Sequence, residues 1–295
     1  MALYEYETLD VFTDRKFAGN QLAVIMDARG LSSEDMLTIT REFNYSETTF
    51  ILPPENPGND ARVRIFTPGY EMPFAGHPTV GTAIAMARAR KLSGELKLEL
   101  NTGVFPVKVD LDRAAPYAEF QNPNLPAQTG EAPDAALIEA ALSLPEGAVD
   151  TGDHRPRVVG AGANFIYART GLENVRRAKI NTAGFDAIGL EQTIGVLVYA
   201  EGGEAKDATY HVRMFAPNAG IAEDPATGGA AAALPGQIAL SQRLADGAHR
   251  WVIEQGFELG RPSRIHASVE TAAGAVKSVR IGGDAVRVMS GQLDF

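Results

Sequence analysis

Two stretches decide the fold: VRIFTPGYEMPFAGHPTVGTAIA, residues 63–85, and VRMFAPNAGIAEDPATGGAAAA, residues 212–233. Laid one over the other, Val63-Arg64 matches Val212-Arg213, Phe66 matches Phe215, and Pro68 matches Pro217. After a gap, Pro78 matches Pro225, Gly81 matches Gly228 and Ala83 matches Ala230. Each copy reads as a strand, a turn and an alanine-rich helix that starts at a proline. A repeat spaced by about half the chain is too long for a solenoid. It predicts a duplicated α/β domain with the two copies facing across a cleft.

The flanks follow the same pattern. YEYETLDVFTD and GNQLAVIMD read as strands, and LSSEDMLTITREFN as a helix with Ser32 and Asp35 in capping-box spacing. SETTFILPP is a strand closed by two prolines, ARVRIFTP alternates as a strand, and ELKLELNTG with VFPVKVDLD reads as a hairpin. Near residue 115 the texture changes. QNPNLPAQTGEAPDAA is rich in proline and polar residues, which predicts a linker between residues 1–118 and 119–285, with a last strand at 286–295 returning to the first domain. After it the order repeats, through PRVVGAGANFIYART, a helix-like stretch, TIGVLVYAEG and ATYHVRMFAP.

Composition removes several classes of function. The 295 residues are 45% hydrophobic and 22% charged, the balance of a folded chain, with no apolar run long enough to span a membrane. The acidic start MALYEYETLDVF lacks the basic end and apolar centre of a signal peptide, so a cytoplasmic protein is expected. A net charge of −10 with no basic run repels nucleic acid. The absence of cysteine excludes disulfides, thiolate metal sites and thiol nucleophiles. The five histidines are scattered and show no metal-ligand spacing, so no metal is expected. No strand-GxGxxG-helix unit or P-loop lysine is present, which argues against a dinucleotide or phosphoryl-transfer site.

The starts of the two repeated helices remain. Unpaired first amides and the helix dipole make an anion site there, and Gly76 and Gly228-Gly229 let a ligand close to the backbone. Two such ends aimed at one cleft would hold a small carboxylate without arginine. The plainer reading of Asp224-Pro225 is an N-cap followed by the first helical residue. A lone histidine such as His77 is more often structural than catalytic, and Glu47, opening a strand that ends in Phe50-Ile51-Leu52, would ordinarily be a solvated edge residue.

Taken together, DVFTDRKFAGNQLAV, NYSETTFIL, RIFTPGYEMPFAGHPTVGTA, AEDPATGGAA and GRPSRI resemble the PhzF-like isomerases of phenazine biosynthesis, in order and spacing over essentially the whole chain. The resemblance implies a diaminopimelate epimerase-like fold: two pseudo-symmetric α/β domains, each a mixed β structure around a central helix, with the active site between them. It implies a homodimer and isomerisation of a small anionic carboxylate without cofactor, dihydro-hydroxyanthranilate being the family's substrate type. Diaminopimelate epimerase uses two thiols. In the PhzF-like branch those places carry a glycine and an aspartate, here Gly76 and Asp224, and the acid/base role falls to the glutamate of the SET motif, Glu47. The catalytic set so implied is Glu47, His77 and Asp224, with Asn20, Ser46, Gly76, Thr227, Gly228 and Gly229 binding substrate. Gly19-Asn20 also reads as a turn. A glutamate whose carboxyl is pushed toward neutrality by burial can take a proton from one carbon and return it to another. An amino-acid racemase needs a second base, which Asp224 or His77 would have to supply. A non-catalytic scaffold binding a small acid or a protein is the remaining alternative.

Two features depart from the family pattern. The second motif ends Gly228-Gly229 where the family often has Gly-Ser, removing a hydroxyl. Pro235-Gly236 predicts an early break or kink in the second central helix. GRPSRI at 260–265 reads as a turn entering a strand, with a structural or dimer-related role and solvated Arg261 and Arg264.

Overall fold

The computed structural model describes residues 2–190 and 192–295. The chain forms two compact units, Met1–Gln121 with Gly282–Phe295, and Asn122–Ile281.

Unit 1 contains β1 (Leu3–Val11), β2 (Asn20–Ile25), α1 (Ser33–Phe43), β3 (Glu47–Leu52), β4 (Ala61–Phe66), β5 (Glu71–Met72), α2 (Gly76–Arg90), β6 (Gly94–Leu100), β7 (Gly103–Asp110) and β8 (Tyr117–Gln121). Neighbouring strands pair in the order β1-β2-β3-β4-β6-β7-β8, with β2–β3 and β4–β6 parallel and the rest antiparallel. The ring is completed by residues 282–294, which run antiparallel to β1 and follow β8. At its centre α2 is buried on every side from Gly76 to Ala87 and packs on β1, β2, β3, β7 and β8. A helix apolar all round has to sit inside its domain. α1 covers the outside, where Met36 and Ile39 meet Ile25, Phe50 and Phe66. Its capping box forms as the sequence predicts: Asp35 N–H donates to Ser32 Oγ, and Ser32 N–H donates to Asp35.

Unit 2 contains β9 (Ala127–Gly130), α3 (Ala135–Ala141), β10 (Arg157–Gly160), β11 (Asn164–Arg169), α4 (Leu172–Arg177), α5 (Thr182–Ile188), β12 (Val196–Glu201), β13 (Tyr210–Ala216), β14 (Ile221–Asp224), α6 (Gly228–Ser241), β15 (Gly247–Gln255) and β16 (Ser263–Ala272). The last strand, β17 (Ala275–Asp294), starts in this unit and ends in unit 1. The pairing order repeats that of unit 1. β11–β12 and β13–β15 are parallel, as β2–β3 and β4–β6 are, and β12–β13 and β15–β16 are antiparallel. α6 takes the place of α2 and packs on β9, β10, β11 and β16.

The matched Val-Arg-x-Phe has the same structure in both copies. Arg64 lies over the Phe66 ring at 5.0 Å and grips Glu71 with two nitrogens, at 2.8 and 2.5 Å. Arg213 lies over Phe215 at 4.9 Å and grips Glu223 at 2.7 and 2.8 Å.

Four expectations need correction. The proline-rich segment is more than a linker, because β9 within it pairs with β10. Its side chains point mostly to solvent while its backbone makes the ladder, so its composition reads as loop. The helices do not start at their prolines. α2 begins at Gly76, two residues before Pro78, and α6 begins at Gly228, three residues after Pro225. Gly76, rather than Gly81, therefore corresponds to Gly228. Asp224 is not an N-cap: it ends β14, paired with Met214, and Thr227 holds the cap position. Finally, α6 runs through Pro235-Gly236 without a break. Burial on all sides holds it. A Cβ on Gly236 would come 2.8 Å from Pro126 Cβ and 3.0 Å from Val159, so the glycine lets the segment before β9 lie against the helix.

Candidate active site

In unit 1 the site is built where β3 opens. Strand alternation puts Glu47, Thr49 and Ile51 on one face and Thr48, Phe50 and Leu52 on the other. Phe50 and Leu52 belong to the cluster under α1. Thr49 Oγ1 lies 2.7 Å from Thr82 Oγ1 of α2. Glu47 thus shares the face turned to α2, and its Oε2 is 3.4 Å from His77 Nε2 in the first turn of that helix. Asn20 brings Nδ2 to 3.4 Å from His77 Nδ1. Asn20 is the first residue of β2 and pairs with Val11, so it is not part of a turn. The turn residue is Gly19, at φ +65°, where a Cβ would sit 2.4 Å from Val11 O.

Glu47 is 8% exposed, His77 4% and Asn20 1%, so the three groups meet away from bulk water. Burial pushes the His77 imidazole down to about 3, against a smaller upward pull from a backbone hydrogen bond with Gln21. His77 is therefore neutral at pH 7. Gly76 is the first residue of α2, and its cap residue, Ala75, offers no side-chain bond to the helix amides. Ser46 lies half-buried just before β3.

In unit 2 the corresponding helix start carries Asp224, Thr227, Gly228 and Gly229. Thr227 Oγ1 donates to Asp224 Oδ2 at 2.5 Å. Gly228 and Gly229 open α6, again without a side-chain cap. A Cβ on Gly229 would touch only the Phe165 ring, at 3.8 Å, an ordinary contact. The structure thus gathers Asn20, Glu47 and His77 in one group and Asp224, Thr227 and the α6 start in another.

Sequence reasoning missed Gln255, which is fully buried and bonds both Asp224 and Thr227. Its signal was its place five residues before GRPSRI. In that motif Arg264 is paired rather than solvated, lying 2.6 Å from Asp207 and 3.6 Å from Glu254. Among the described residues no group of three or more His, Asp or Glu side chains is placed to hold a metal ion, and no helix is long and apolar enough to cross a membrane.

Residues 9–291 match the family model described as phenazine biosynthesis-like protein, PhzC–PhzF. The chain is 40% identical to an uncharacterized isomerase of Mesorhizobium japonicum, over 99% of both chains. It is 34% identical to the trans-2,3-dihydro-3-hydroxyanthranilate isomerase of Pseudomonas aeruginosa, over 98% of this chain and 99% of that one. The crystal structure of a PhzF-family protein from Bacillus anthracis superimposes with a TM-score of 0.90 at 25% identity, covering 100% of both chains. Fold and relatives together define the class, an α/β isomerase. Within it, the chain belongs to the PhzC–PhzF, phenazine biosynthesis-like family.

Proposed function

We propose that the protein isomerises a small anionic carboxylic acid without a cofactor, and that Glu47 is the group that moves the proton. The observation that carries this reading is the buried Glu47 carboxylate held 3.4 Å from a neutral His77 at the start of α2. That distance is longer than a good hydrogen bond, so His77 approaches the carboxylate without binding it tightly. Glu47 takes a proton from one carbon, the double bond shifts, and the same carboxyl returns the proton to another carbon. Atoms and charge balance with no outside reactant. His77 and Asn20 orient the carboxylate. The uncapped amides at the start of α2 bind polar groups of the substrate, a role the family resemblance also assigns to Asp224, Thr227 and the start of α6. Ser46 belongs to the same binding set. The homodimer implied by the resemblance is part of the proposal, and sedimentation tests it.

The first compound to try is trans-2,3-dihydro-3-hydroxyanthranilate, the substrate in the name of the Pseudomonas aeruginosa relative. Incubation in heavy water, followed by NMR of the carbon-bound protons, should show isomerisation, with deuterium uptake to the extent that the proton on Glu47 exchanges with solvent before it is returned. Glu47→Gln should slow it roughly 100- to 10,000-fold, the usual weight of a general acid–base. Equal exchange by both proteins would remove Glu47 from the role.

A further inference from the structure

We propose that Gln255 is a positioning residue for the Asp224 carboxylate, acting through Thr227; this rests on the assignment of Asp224 to substrate binding. Gln255 ends β15 and is fully buried. Both ends of its amide are fixed. Thr227 N–H donates to Oε1 at 3.0 Å, and Nε2 donates to the carbonyl oxygen of Asp224 at 2.7 Å. Turning the amide over would set N–H against N–H and oxygen against oxygen. The other Nε2 hydrogen therefore goes to Thr227 Oγ1, at 3.0 Å. A hydroxyl has one proton to give. With Gln255 already donating to its oxygen, Thr227 gives that proton to Asp224 Oδ2, 2.5 Å away. Gln255, bonded to the main chain of Asp224, thus sets through Thr227 the direction of this charge-assisted bond, and with it the rotamer of the carboxylate.

The backbone behind the turn is held as well. Gly256 sits at φ +77°, where a Cβ would come 2.6 Å from Pro225 O and 2.5 Å from Arg261 O. The loop bearing GRPSRI is thus pressed against Asp224–Thr227. Ser263 Oγ donates to Arg261 O at 3.1 Å and steadies it. The GRPSRI motif therefore backs the turn that carries Asp224.

The test compares full-length wild type with Gln255→Glu, Thr227→Val and Thr227→Ser. One readout is independent of turnover. Proton NMR of the wild type should show a slowly exchanging, low-field hydroxyl proton that Thr227→Val removes and Thr227→Ser restores. In Gln255→Glu this proton should shift or vanish, because the introduced carboxylate accepts where the amide donated. The second readout is kinetic, with trans-2,3-dihydro-3-hydroxyanthranilate. Gln255→Glu should lose roughly 10- to 100-fold in kcat/KM at pH 8, as expected for losing one charge-assisted hydrogen bond. That deficit should shrink toward pH 5, as the introduced carboxyl protonates and regains an O–H donor. His211, Glu254, Glu258, Glu223, Arg213 and Arg264, on or beside the same strands, are present in both proteins, so the pH dependence is read as the ratio of variant to wild type. A merely structural glutamine would give a deficit that tracks stability and not pH. An unchanged hydroxyl proton in Gln255→Glu, or a deficit flat with pH in a folded variant, overturns the proposal. If the wild type does not turn the compound over, the functional reading fails for that substrate and the hydroxyl proton alone decides. If Gln255→Glu does not fold, Gln255→Asn, which keeps the amide but cannot reach, takes its place.

Discussion

His77 ties burial to acid sensitivity. Its imidazole lies near 3 in the folded protein against 6.5 for the free side chain. Above pH 6.5 both folded and unfolded chains carry it neutral, and it costs nothing. As pH falls from 6.5 toward 3 only the unfolded chain takes up the proton, so stability is lost across that window. Urea midpoints should fall over this range in the wild type, and the slope should flatten in His77→Gln by about one bound proton. A slope unchanged by the substitution would mean that His77 titrates normally. Gly229 poses a different question, because the family resemblance leads to an expected serine there. The site has room, with only the Phe165 ring at 3.8 Å from a new Cβ. Gly229→Ser should leave the melting temperature nearly unchanged, within about 0.5 kcal/mol. It should change KM with little effect on kcat.

At the scale of elements, packing overrides propensity. Gly236 lies inside α6, where alanine would be preferred by up to about 1 kcal/mol. Against that, a Cβ there meets Pro126 at 2.8 Å and Val159 at 3.0 Å. Overpacking costs about 1–3 kcal/mol, so Gly236→Ala should destabilise, and thermal unfolding gives the sign. This also marks the limit of what the sequence revealed. Strand alternation exposed β1 and β4, the two closing prolines exposed β3, and the capping box exposed α1. The strand, turn and helix repeat exposed the duplicated architecture, because the same Arg-on-Phe clamp is encoded twice. Helix starts were misread, since Pro78 and Pro225 look alike as residues but Pro78 lies within the first turn of its helix and Pro225 lies before it. β9 was hidden because only its backbone enters the ladder. Glu47 stood out as a carboxylate opening a strand with a core end, but its proposed role came from the family resemblance and not from the strand pattern. Gln255 was not, since a buried glutamine at a strand end shows no period.

Over the whole molecule the duplication sets up a paired experiment. Arg213 and Glu223 have side chains 8% and 9% exposed, while Arg64 and Glu71 are 15% and 26% exposed. Removing one partner of a buried pair costs up to about 3–5 kcal/mol. Glu223→Ala should fall short of that, because Arg213 keeps Glu258 at 3.8 Å and the carbonyls of Val175, Arg176 and Ala178, and should still cost more than Glu71→Ala in parallel denaturation curves. The charge of −10 acts at the same scale. It repels an anionic substrate, so kcat/KM should rise modestly with added salt as screening shortens the reach of that field. β17 carries a further consequence. The strand that closes the ring of unit 1 against β1 is made only after all of unit 2. While the protein is being synthesised, β1 waits for its partner until β17 has left the ribosome. The half of the molecule that emerges first is therefore the half completed last, and a stalled nascent chain would display an open edge of β1.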